Sequence, residues 1–139
     1  MSSMDDVRRL ASALPGVSEH GTRFDLDGRG FVWTWQERVH PRKARVPNRD
    51  VLVVRVGSEA DKRELIAADP DVFFTEPHYD GYPAVLVRLP RVGIDELREL
   101  VTDAWVTRAS AARRRELGDV LDPGRRGGRD RGTNDGQGP

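Results

Sequence analysis

The chain is 139 residues long, with 23 basic residues, 23 acidic residues and no cysteine. That length supports one domain around a modest core, and a formal net charge of zero argues against a dedicated high-affinity nucleic-acid binder while leaving room for a local basic patch. The lack of cysteine excludes disulfides, thiolate metal sites and a cysteine nucleophile; with no export signal and no apolar run of about 18 residues, cytoplasmic residence without a membrane span is expected.

Ser3, followed three residues later by Asp6, resembles a capping box at the start of a helix. Val7, Leu10, Ala11 and Leu14 then fall on one apolar face, and Pro15-Gly16 ends the helix. Arg23 to Asp27 alternates around Phe24 and Leu26, Gly28-Arg29-Gly30 is the expected turn, and Phe31, Trp33 and Trp35 occupy one face of the returning strand. A polar, proline-bearing loop is predicted over Gln36 to Asp50. Val51 to Val56 has apolar residues on both faces, which predicts a central strand.

Ser58, with Asp61 three residues on, caps a second helix that runs to about Ala68, before Asp69-Pro70. Val72 to Thr75 reads as a short strand, and Ala84 to Leu89 as the last one, entered from Gly81-Tyr82-Pro83. A long helix starts near Ile94, with Leu97, Leu100, Val101, Ala104 and Trp105 continuing its apolar stripe, and Arg108 to Leu117 extends it. The pattern predicts an α+β fold, an antiparallel β-sheet with helices packed on one face. Residues 1–117 form the single globular domain. Gly118 to Pro139 holds seven of the fourteen glycines and almost no apolar side chain, which predicts a disordered tail.

Chemistry is sparse. The three histidines, His20, His40 and His78, are too scattered for a metal site. Thr75, His78 and Asp80 lie close in sequence without the strained elbow of a nucleophile. There is no phosphate-binding glycine loop. Asp25 and Asp27, with Arg23 and Arg29, read as an exposed, charge-balanced surface. No catalytic residue, metal or cofactor is assigned.

Two candidate interaction sites remain. Arg38, Arg42, Lys43, Arg45 and Arg49 supply five positive charges with no acid among them. They would contact phosphates, with Trp33 or Trp35 available for stacking, or form a solvated loop over buried tryptophans. The second is Phe73 to Arg88, which gathers two phenylalanines, both tyrosines, two of nine prolines and one of three histidines. Such density predicts an ordered, self-packed turn. If His78, Tyr79, Tyr82 and Arg88 share one exposed face, that turn becomes a recognition site.

The segment Phe73-Phe74-Thr75-Glu76-Pro77-His78-Tyr79-Asp80-Gly81-Tyr82-Pro83-Ala84-Val85-Leu86-Val87-Arg88 resembles the MmcQ/YjbR family of small bacterial domains. The opening Val7 to Glu19, the Ala67-Ala68-Asp69-Pro70 helix end, and Asp95 to Leu100 leading to Ala104-Trp105 agree with it in order and spacing, over about residues 4 to 110. The resemblance implies an α+β domain similar to the secretion-chaperone fold, with DNA as partner and no catalytic residues. The expectation is a non-enzymatic binding module, a monomer or weak homodimer, that binds DNA through the basic loop. The alternative is a chaperone-like protein-interaction module using an exposed sheet face or edge around Phe31, Trp33 and Trp35.

Overall fold

The computed structural model describes residues 1–122, which fall into two compact units, Met1–Arg108 and a second that opens at Ala109. The first begins with α1 (Met4–Ser12), whose N-terminus is tied by Asp6: its Oδ2 accepts from the Ser3 backbone N–H at 2.9 Å and from Ser3 Oγ at 3.3 Å. Arg9 and then the Ser3 amide hold the Asp6 carboxyl below its ordinary range. This contribution is therefore whole at neutral pH and is lost only as the pH falls through that lowered value. Val7, Leu10 and Ala11 are buried, as the helical spacing predicts.

Six strands follow in one antiparallel sheet, β1 (Val17–His20), β2 (Arg23–Leu26), β3 (Arg29–Glu37), β4 (Val46–Arg55), β5 (Phe73–Phe74) and β6 (Ala84–Arg88), in the order β1-β2-β3-β4-β6-β5. Between β4 and β5 lies α2 (Glu59–Ala68), with Ser58 Oγ accepting from the Asp61 amide at 3.1 Å. After β6 comes α3 (Ile94–Arg108). The predicted fold class is the observed one.

The sheet has two different faces because β4 is buried on both. Leu52 and Val54 pair with Val87 and Val85 of β6 and with Thr34 and Val32 of β3. This is the face under α1 and α3: Thr34 touches Met4, and Leu97, Leu100, Val101, Ala104 and Trp105 are buried beneath α3. Trp105 Nε1 donates to Pro15 O at 3.0 Å, fastening α3 to the end of α1. On the opposite face Val51, Val53, Ala84 and Leu86 form a second core, covered by Trp33, Trp35, Phe74 and Tyr79 in place of a helix.

Several readings of the strands change. Val17–His20 is a strand, although its polar residues do not suggest one. The β2–β3 turn is Asp27-Gly28, one residue earlier than expected; both residues have positive φ, 52° and 81°, which suits the right-handed twist of a two-residue hairpin. Phe31 does not share a face with both tryptophans. The β2–β3 register shifts beside it, and Phe31 is fully buried while Trp33 and Trp35 are half-covered. The loop is shorter than Gln36–Asp50, because β3 continues to Glu37 and β4 starts at Val46. A register shift after Thr34 accommodates Pro47, which pairs with Gln36.

The second unit contains α4 (Ala111–Leu121), with Ser110 Oγ accepting from the Arg113 amide. Helix thus continues through Gly118 to Leu121, inside the segment expected to be disordered; positions 123–139 of that expectation lie outside the described residues.

At Gly28 an added Cβ meets nothing, so Gly28→Ala tests backbone conformation alone. Its expected cost is about 1–2 kcal/mol, read as a lower urea midpoint with unchanged slope.

Candidate functional site

The aromatic-rich connection between β5 and β6 is built on a 3-10 turn, Pro77–Tyr79, followed by Gly81 with φ 75°. Tyr79 N–H donates to Glu76 O and Tyr82 N–H to Tyr79 O, closing two successive tight turns. That curvature leaves the carbonyls of Tyr79 and Tyr82 directed at α2, where Lys62 fills the space. Lys62 is 3% exposed, and its Nζ donates to Tyr79 O at 2.6 Å and to Tyr82 O at 3.0 Å, with Glu59 Oε1 at 4.0 Å. A compact ammonium with three rotatable donors suits converging carbonyls; the planar fork of arginine does not.

Held this way, the turn lays its rings over the helix-free face of the sheet. Trp33 Nε1 donates to Tyr79 Oη at 2.9 Å, and the ring centroids of Trp33–Tyr79 and Tyr79–Tyr82 are 6.5 and 6.1 Å apart. His78 stands edge-on to Tyr79 at 4.9 Å. Arg55, at the end of β4, lies over the Tyr82 ring with its Cζ 5.0 Å from the centroid, and its Nη1 donates to Tyr82 Oη at 2.8 Å. Farther along the face, Trp35 meets Phe74 edge-on at 6.3 Å.

Trp33 and Tyr82 stand between two hollows. One, of about 480 Å³, includes His78, Tyr79 and Asp80. The other, of about 500 Å³, runs along β3 from Gly30 to Gln36 and includes His20, Arg23 and Arg108. Arg108, the last residue of α3, donates from Nε to Gly30 O at 3.0 Å. Its pKa is pushed down, first by burial and then by the charges of Arg55 and Arg29, with Tyr82 acting the other way. Arginine stays charged regardless, so the direction records burial first and the neighbouring guanidinium charges second. Asp25 is 2% exposed and accepts from Arg23 Nη2 at 3.1 Å, with His20 Nε2 at 3.8 Å, and Asp80 sits in the other hollow. The expectation that Asp25 is surface-exposed is therefore corrected.

The structure gathers His78, Tyr79 and Tyr82 on one surface but separates Arg88 from them. Its Cζ lies 4.1 Å from the Phe74 centroid, and its Nη1 donates to Pro70 O and Asp71 O, anchoring the entry to β5. The five basic candidates divide as well. Arg38 Nη1 donates to Lys43 O at 2.9 Å and to Pro41 O at 3.3 Å, while Arg45 Nη1 donates to Gln36 O at 2.9 Å. These two brace the hairpin from within. Arg42 and Lys43 at its tip and Arg49 on β4 are exposed, with no side-chain partner among the described residues. Sequence reading missed Lys62 and Arg55, weighed His20 only as a metal ligand, and placed Arg108 only at the start of a helical extension.

Among the described residues no group of three or more His, Asp or Glu side chains converges as metal ligands, and no helix is long and apolar enough to cross a membrane.

Comparison with known proteins agrees with this architecture. The sequence model of the family described as YjbR matches residues 12–107. Uncharacterized proteins of Mycobacterium bovis and of two strains of Mycobacterium tuberculosis are each 40% identical over 116 residues, covering 78% of this chain and 90% of theirs. The crystal structure of Deinococcus radiodurans protein DR2400, of domain family DUF419, superposes with a TM-score of 0.60 at 22% identity, covering 85% of this chain and 89% of that one. That likeness establishes the shared fold.

Lys62→Met removes the ammonium from both turn carbonyls, which then keep only the backbone N–H of Tyr82 and of Ala84, and is expected to cost roughly 1–3 kcal/mol. The tryptophan emission should also change as Tyr79 loosens from Trp33. Lys62→Arg should not restore either property. A full rescue by arginine in urea denaturation would show that charge, rather than the fit of the ammonium, holds the turn.

Proposed function

The chain belongs to the YjbR family, and we propose that this member is a non-enzymatic, cytoplasmic module that binds nucleic acid, with DNA the partner expected from the family resemblance. The observation that carries this reading is the β3–β4 hairpin. Arg38 and Arg45 spend their guanidiniums on the hairpin's own carbonyls. The tip is thereby shaped, so that Arg42 and Lys43 are presented to solvent with no acid between Arg38 and Arg49, and Arg49 adds a third exposed cation on β4. Cations on an ordered projection lose little conformational entropy on meeting phosphates, and they release counterions when they do. A formal net charge of zero keeps the attraction local and the affinity modest.

The protein-interaction alternative is less well supported. It drew on apolar surface around Phe31, Trp33 and Trp35, but Phe31 is fully buried and the tryptophans lie partly under Tyr79 and Phe74. The exposed large apolar residues of the first unit, Met1, Val39, Val46 and Tyr82, do not form a cluster in sequence. What remains of that reading is the edge of the sheet.

The test is fluorescence anisotropy of labelled DNA over a series of salt concentrations. Replacing Arg42, Lys43 and Arg49 together with glutamine should weaken binding at low salt by about tenfold or more. It should also flatten the dependence of log K on log salt by roughly two to three. Unchanged affinity and slope would remove the hairpin from the interface.

A further inference from the structure

We infer that the helix-free face of the sheet is a binding track for a single strand of nucleic acid, with unpaired bases against Trp33 and Tyr82 and phosphates at Arg55 and Arg108; this rests on the nucleic-acid reading above. Three observations converge on it. The first is the aromatic pair. Tyr82 is 38% exposed although it is braced by Arg55, and Trp33 borders both hollows while its indole N–H is satisfied by Tyr79. These rings are held in place with part of their surface open, so stacking a base on them requires little further ordering.

The second is charge. Arg108 lines one end of the hollow beside Tyr82, Arg55 lies over the same ring, and neither forms an ion pair among the described residues. Like charges brought this close repel one another in the free protein, and an anion placed among them relieves the repulsion. Arg55 and Arg108 both meet Tyr82, so a phosphate seated there lies next to the ring that would take its base.

The third is continuity. The hollow follows β3 from Gly30, whose carbonyl accepts from Arg108, to Gln36, whose carbonyl accepts from Arg45 at the root of the basic hairpin. The six steps between these seven residues span about 20 Å, room for a few nucleotides with cations at both ends and aromatic rings between. A duplex keeps its bases stacked on one another and has none to offer Trp33 or Tyr82. A single strand does.

The experiment compares a labelled oligothymidylate, a duplex of equal length, an abasic oligomer with the same number of phosphates, and free thymidine monophosphate as competitor. The oligothymidylate should bind about tenfold tighter than the abasic oligomer, and Tyr82→Ala should remove most of that difference. Tyr82→Phe, which keeps the ring, should retain it and so separates stacking from loss of fold. Tryptophan emission should be quenched by the oligothymidylate, and Trp33→Phe should abolish most of the quenching. Equal binding of abasic and thymidylate strands, or no effect of Tyr82→Ala, overturns the track; if the hairpin variant still weakens binding, the nucleic-acid reading survives alone. Competition by the mononucleotide as strong as by the oligomer overturns the assignment to a strand. Failure of every DNA probe to bind at low salt overturns both readings.

Discussion

A buried ammonium organises the functional half of this molecule. Lys62 reaches from α2 to the carbonyls of Tyr79 and Tyr82; each also accepts one backbone N–H, and the ammonium is the single group that ties the two converging dipoles to each other and to α2. The cost of removing the charge from water is offset only if its donors find acceptors. That requirement couples the orientation of α2 to the path of the turn. The turn then decides where Tyr79 and Tyr82 lie, and through Tyr79 it covers the second core made by Val51, Val53, Ala84 and Leu86. One interaction therefore both completes the packing and aims the exposed rings.

Charge is arranged with the same economy. Many acids and bases of the first unit are paired close to home, as in Arg8 with Asp5 and Glu19, Arg9 with Asp6, Arg23 with Asp25 and Arg98 with Asp95. Apart from Arg23 with the buried Asp25, such exposed pairs contribute little stability. Among the guanidiniums they leave without a carboxylate are those at the hairpin tip and at the end of β4. A chain with no net charge can in this way still carry a directional field.

The helices, the central strand and the fold class were legible in the sequence because they depend on repeating patterns: the 3.6-residue stripes of α1 and α3, and the unbroken apolar run of β4. What escaped depends on single positions or on pairing partners. β1 is Val-Ser-Glu-His, whose residues do not ask for a strand, and it forms because β2 offers it a ladder. Asp25 looks like a surface residue until Arg23 folds over it. The alternation of β3 misleads at Phe31 because a register shift beside it breaks the period of two. The Phe73 to Arg88 segment was rightly read as ordered, but the grouping of His78, Tyr79 and Tyr82 without Arg88 follows from a tertiary contact to Phe74 that no local spacing encodes. One signal for Lys62 was present. In a chain with 23 basic residues, only two are lysine, and one of them stands on a face of α2 that had to be buried.

That scarcity has a chemical consequence. The chain has only two lysine amines, at Lys43 and Lys62, and they occupy opposite environments, one in solvent on the hairpin and one enclosed by carbonyls. An amine-directed acylating reagent therefore meets a reactive side chain in the first and a shielded one in the second. Lys43 becomes a handle for attaching a probe at the hairpin without mutation. The slow acylation of Lys62, by contrast, is a clock for how often the turn between β5 and β6 opens, a local event whose free energy lies below that of global unfolding.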